Sequence, residues 1–137
     1  MNSNLAKFTP YALALLRIVA AYMFLLHGTA KFFEFPVSMT GGNGSVPLMS
    51  MYGIGGILEI GGGILLLLGL FTRPVAFLLS GMMAYAYFFM HATAENIALP
   101  LVNQGELALL YSVVFFLLVF VGAGAFALDN KRENANK

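Results

Sequence analysis

Residues 51–70 read MYGIGGILEIGGGILLLLGL and hold a single charge, Glu59. A stretch of this length is what a helix rising about 1.5 Å per residue needs to cross roughly 30 Å of hydrocarbon. The carboxylate is its informative member. Its helical neighbours three and four positions away are Gly55 and Gly56 on one side and Gly62 and Gly63 on the other. Small residues let another backbone approach closely in a membrane, so this stripe is expected to pack against a second helix, with Glu59 facing the bundle interior rather than lipid.

Working outward, three further apolar stretches cover Pro10 to Phe33, Pro74 to His91 and Asn103 to Phe126. The chain has 137 residues, 60% hydrophobic and 9% charged, against about 25% charged in ordinary soluble domains. A soluble domain could not cover its surface with so little charge. Each stretch is far longer than the roughly 9 to 11 residues of a barrel strand and lacks apolar/polar alternation. In lipid a helix satisfies its own backbone. The expected fold class is therefore an all-α membrane protein, a four-transmembrane-helix bundle forming one domain over residues 1–128, followed by a tail over 129–137.

The charges set an orientation. Lys7, Arg73, Lys131, Arg132 and Lys137 share one side of a four-span topology, and the other side has only Lys31, with Glu34 and Glu95 beyond it. By the positive-inside rule both termini, the short Phe71-Thr72-Arg73 turn and the 129–137 tail are cytoplasmic. Lys7, Arg17, the run Ile18 to Leu26 and Gly28-Thr29-Ala30 have some features of a secretory signal. The apolar pattern resumes at Phe32, however, so the segment is read as a retained span.

Between the first two spans, Glu34 to Ser50 contains Pro36, Gly41 to Ser45 and Pro47 and reads as a flexible or partly re-entrant loop. Its glycines lack the following Gly-Lys-Ser/Thr of a phosphate cradle. Spans two and three form an antiparallel hairpin, with Pro74 suited to a helix start. Asn103 or its neighbour is placed to cap span four. The tail from Asp129 is expected to be solvated and disordered, and no internal repeat is visible.

No cysteine is present, which excludes disulfides, thiol catalysis, iron–sulfur clusters held by this chain and covalently attached haem. Any redox centre must be borrowed or diffusible. There is no basic patch for a nucleic acid. The two histidines lack an Asp or Glu at ligand spacing, so no metal is expected.

Six ionisable residues fall in or at the ends of the spans: Arg17, His27, Lys31, Glu59, His91 and Glu106. Each costs about 2.5 to 3.5 kcal/mol at the bilayer centre on insertion scales and calls for a partner or a function. Counted from the cytoplasmic ends, Arg17 lies roughly 10 Å in, Glu59 roughly 16 Å and His27 roughly 25 Å. This predicts an Arg17–Glu59 ion pair with His27 above it. Arg17, Phe24, Gly28 and Lys31 share one helix face, and Gly81, Ala84, Phe88 and His91 another. Lys31, His91 and Glu106 fall at one outer level, walled by Phe24, Tyr85, Tyr87 and Phe88, and together with His27 sketch a polar cluster that would suit a quinone or a proton. The plainer readings are interhelical glue for Arg17 and Glu59, snorkelling for Lys31, His91 and Glu106, and an aromatic belt for the tyrosines.

Leu58-Glu59-Ile60-Gly61-Gly62-Gly63, running on to Leu68-Gly69-Leu70-Phe71-Thr72-Arg73, resembles the central motif of the DoxX family of small bacterial membrane proteins. Leu16-Arg17-Ile18, His27-Gly28 with Lys31, Asn103-Gln104-Gly105-Glu106 with Tyr111, and Gly122-Ala123-Gly124 fit its pattern over nearly the whole chain. The resemblance implies a multi-pass, four-helix protein of the bacterial inner membrane. The family's name comes from similarity to a subunit of an archaeal thiosulfate:quinone oxidoreductase, and some members are placed in membrane redox assemblies that respond to oxidative stress. Function transfers less well than fold.

Three functions stay open. One is a subunit or accessory of a quinone-linked redox assembly, with quinone as a diffusible cofactor, donors such as Arg17, His27, Lys31 or His91, and electrons from a membrane or soluble partner protein. A second is a non-catalytic adapter for a partner. The third is a small-solute transporter, though no discontinuous helix marks a transport site.

Overall fold

The computed structural model describes residues 3–135, so the Lys137 charge lies outside the described residues. All regular structure among them is helical: α1 (Ser3–Ala6), α2 (Thr9–Phe33), α3 (Met51–Leu68), α4 (Thr72–Ala86) running into a π-helical turn (Tyr87–His91), α5 (Pro100–Asn103), α6 (Glu106–Val121) and α7 (Leu128–Ala135). Three helical stretches are long and apolar enough to cross a membrane: Asn4–Phe33, Met51–Leu68 and Thr72–His91. The fourth apolar helix, α6, has 16 residues.

The chain divides into two units, one of residues up to Thr72 together with those from Ala123 onward, the other Arg73–Gly122. In the first, α2 and α3 pack side by side. The buried face of α3 is Gly53, Gly56, Glu59, Gly63 and Leu66, a run of three- and four-residue steps that keeps one face inward. It meets Ala14, Arg17, Ala20, Ala21, Phe24 and Gly28 on the buried face of α2. The fit is close: a Cβ on Gly28 would stand 2.6 Å from Ile60 Cγ1 and 3.0 Å from the Gly56 carbonyl oxygen.

The ends of α3 follow from local chemistry. Ser50 caps its start by accepting from the Gly53 N–H. Gly69, at φ 66°, ends it, donating to the Leu66 carbonyl at 3.1 Å while Leu70 donates to that of Leu65 at 2.9 Å. Those two bonds make a Schellman motif, which needs a left-handed residue.

In the second unit, Ser80 on α4 and Ser112 on α6 each donate to the other's backbone carbonyl, at 2.7 and 2.9 Å. Arg73 donates to the carbonyls of Val119 and Phe120 at 2.8 and 2.6 Å, closing the end of α6.

Several boundaries differ from the sequence expectation. The helix expected over 103–126 runs only from Glu106 to Val121. Gly122 and Gly124 take left-handed φ of 79° and 75°, so the chain leaves the helix there. Asn103 does not cap α6: it ends α5, and its carboxamide oxygen accepts from the Gly105 N–H at 2.8 Å. The tail expected to be disordered is helical from Leu128 to Ala135.

Candidate functional site: an arginine clasp and a buried ion pair

Arg17 lies near the middle of α2 and has no exposed surface. Its Nε donates to the Ala123 carbonyl at 2.8 Å; one terminal nitrogen donates to Leu66 and Leu67 at 2.7 and 2.8 Å; the other donates to Ala125 and Phe126 at 2.9 and 3.1 Å. A guanidinium has five N–H groups, and here each has a carbonyl. Two acceptors are last-turn carbonyls of α3, that of Leu66 shared with the Gly69 N–H, and the partial negative charge at this helix end favours a cation. The other three come from the irregular segment after α6, where left-handed Gly124 and Phe126 turn the chain so that its carbonyls converge. The clasp therefore ties α2, the end of α3 and residues 123–126 into one unit.

Glu59 pairs with Lys31, not Arg17. The Lys31 ammonium and the Glu59 carboxylate are in direct contact, with side chains 13% and 5% exposed. The glycine face explains how the lysine reaches inward. A Cβ on Gly56 would come within 2.7 Å of the Phe32 ring and 3.4 Å of Lys31 Cδ. Gly56 thus leaves a trough along which the lysine stem lies. The expected Arg17–Glu59 pair fails because backbone carbonyls, invisible in a count of side chains, occupy the whole guanidinium.

His27 is half-buried on α2, one helical turn before Lys31. His91 ends the π-helical turn and Glu106 begins α6; both side chains are exposed, and neither is in an ion pair among the described residues. Of the glycines, Gly56 and Gly63 are buried at the α2 contact, while Gly55 and Gly62 are half-buried. The helical repeat allows only the 56–59–63 row to face inward. Among the described residues no three His, Asp or Glu side chains converge as metal ligands would.

Two networks lie outside those expectations. The Asp129 carboxylate accepts from the N–H groups of Phe71 and Thr72 at 2.8 and 2.9 Å, while the Asp129 N–H donates to the Gly69 carbonyl at 2.9 Å. Arg132 lies 4.3 Å from the Phe71 ring centroid and 3.7 Å from the Asp129 carboxylate. Burial alone would raise the Asp129 carboxyl, but the Thr72 and Phe71 donors and the Arg132 charge outweigh it and hold the group below its ordinary range. The Thr72 hydroxyl acts in the same direction, although it falls short of hydrogen-bond geometry. In the second unit, the Tyr87 hydroxyl donates to the Ile97 carbonyl at 2.6 Å and accepts from the Asn103 carboxamide at 3.2 Å, which fixes the loop after the π-helical turn. Asn103 in an otherwise apolar run was the available signal for that knot.

Regular structure that is all helical among the described residues, three helices there apolar enough for a bilayer, and buried charges matched to internal partners are the construction of a membrane protein. Residues 12–92 match the DoxX family model. A relative from Haemophilus influenzae, described as an uncharacterized protein, is 62% identical over 132 residues, covering 94% of this chain and 96% of its own length. The chain belongs to the DoxX family. No solved structure matches it.

Proposed function

We propose that the protein crosses the bacterial inner membrane four times with both ends in the cytoplasm, and serves as an accessory subunit that anchors a quinone-linked redox assembly without carrying an electron-transfer group of its own. One observation supports the anchoring role above all: the two most deeply buried charged residues of the spans are occupied within the chain, Arg17 by five carbonyls and Glu59 by Lys31. Groups held in this way maintain a fold. The redox context comes from the family resemblance. At roughly 24 Å, α6 is short for a span, which a bilayer accommodates by local thinning.

A second reading, that the chain itself engages a quinone head or a proton, is favoured by the Lys31–Glu59 pair with His27 one turn away. Lys31 keeps some exposure and is the donor nearest to being available. Mild-detergent purification followed by mass spectrometry of co-purifying proteins and quinones separates the readings. The anchoring role predicts a stoichiometric partner protein. Recovery of the chain alone overturns that role, and recovery of the chain alone with bound quinone establishes the second reading.

A further inference from the structure

The loop between α2 and α3 has the composition of a water-facing connection but not its surface. Phe35, Val37, Met39, Leu48 and Met49 are between 51 and 89% exposed. Its hydroxyl and amide side chains are turned to the loop's own backbone. Ser38 accepts from the N–H groups of Thr40 and Gly42 at 3.2 and 2.9 Å, Thr40 donates to the Gly44 carbonyl at 2.7 Å, and Asn43 donates to that of Thr40 at 2.8 Å. Ser45 and Ser50 donate to the carbonyls of Val46 and Pro47 at 2.8 and 2.5 Å. Between Lys31 and Glu59 the only charge is Glu34. Two bonds hold the loop on its unit: Val46 N–H to the Lys31 carbonyl at 2.9 Å, and the Thr29 hydroxyl to that of Phe35 at 2.8 Å.

A segment that satisfies its own polar groups and turns its apolar side chains outward suits a surrounding poor in water. The apolar side chains lie on two arms, 33–39 and 46–52, and the polar tip 40–45 lies between them. Both arms run directly into the outward faces of candidate spans, Phe33 ending α2 and Met51 beginning α3, each more than half exposed. A patch continuous with lipid-facing surface has lipid as its natural occupant, and exposed apolar area of this kind marks an interaction surface. We infer that the two arms of this loop rest in the headgroup–acyl boundary of the leaflet at that end of the molecule, with only the tip around Asn43 in water. The inference goes beyond the proposed function and holds for either orientation of the chain.

The chain contains neither tryptophan nor cysteine, so single reporters read without background. Met49→Trp and Asn43→Trp are reconstituted in phosphatidylethanolamine–phosphatidylglycerol vesicles with and without lipids brominated high in the acyl chain. Position 49 is expected to emit to the blue of position 43 and to lose at least half its emission to brominated lipid, while position 43 is quenched by aqueous iodide. Equal iodide quenching at both positions overturns the inference, as does a blue-shifted position 49 that brominated lipid leaves untouched, which would mean a protein cover. If either tryptophan variant fails to fold, Met49→Cys and Asn43→Cys decide the question with a membrane-impermeant maleimide in vesicles where both loops face outward. Labelling at 43 at least tenfold faster than at 49 supports the inference, and equal rates overturn it.

Discussion

Arg17 presents five N–H groups to the buried interior, and the fold supplies five carbonyls. Each buried carbonyl left without its donor costs about 1 to 3 kcal/mol. Arg17→Ala is therefore expected to abolish recovery of folded protein from detergent, and Arg17→Lys to restore only part of it, because an ammonium offers three donors and no planar fork. Thermal melts of purified protein check this. Glu59→Gln strands a buried ammonium and should destabilise by about 3 to 5 kcal/mol. Combining it with Lys31→Met should recover most of that loss, since removing both charges of a buried pair is often neutral; a double variant as unstable as the single would show that Glu59 has a partner other than Lys31. That Arg17 and Glu59 are buried was legible in the sequence, because an arginine and a glutamate in apolar helices have few other places to go. Their partners were not, since the competing acceptors are backbone carbonyls placed by the later chain reversal at Gly122 to Phe126.

That the Glu59 face of α3 packs against another helix was legible from the glycines of the 51–70 stretch, although of Gly55, Gly56, Gly62 and Gly63 only Gly56 and Gly63 are buried. Gly28→Ala puts a methyl against Ile60 and the Gly56 carbonyl, whereas Gly61 has nothing within 4 Å of its added Cβ. The first is expected to destabilise by about 1 to 3 kcal/mol, and Gly61→Ala to be neutral or slightly stabilising; detergent-denaturation curves distinguish them. Not legible was a device that occurs twice. Arg17 donates to the carbonyls three and two residues before left-handed Gly69, and Arg73 to those three and two residues before left-handed Gly122. A Cβ on either glycine would lie 3.1 Å from a guanidinium nitrogen. The repeat is one of geometry, carried by two residue types too common to stand out in a sequence. The helical tail was missed for a similar reason: Asp129 reads as one of a run of polar residues until the Phe71 and Thr72 N–H groups are seen to face it. Because folding lowers the Asp129 pKa, its contribution is complete above the unfolded value near 3.9 and is lost as pH falls through the folded value. Hydrogen exchange over α7 should rise as pH drops from about 5 to about 3, after correction for intrinsic rates, and Asp129→Asn should remove most of that dependence.

Over the whole molecule, hydrophobic length and the low share of charge led to the class of protein, a bulk property of long segments, while the family was legible from particular residues, the run from Leu58 to Arg73 above all. Local helix geometry at His91 and Glu106 was not legible, since counting along an ideal helix does not foresee the π-helical turn that ends at His91 or the late start of α6 at Glu106. On the proposed function, the buried charges hold the protein together while its work is done through a partner. Quantitative mass spectrometry of mild-detergent extracts, comparing partner bound per folded chain in wild type, Arg17→Lys and Glu59→Gln, tests this most directly. Folded chain is expected to become scarcer in both variants while partner per remaining chain stays constant; normal amounts of folded chain with partner or quinone lost from Glu59→Gln would overturn the anchoring role.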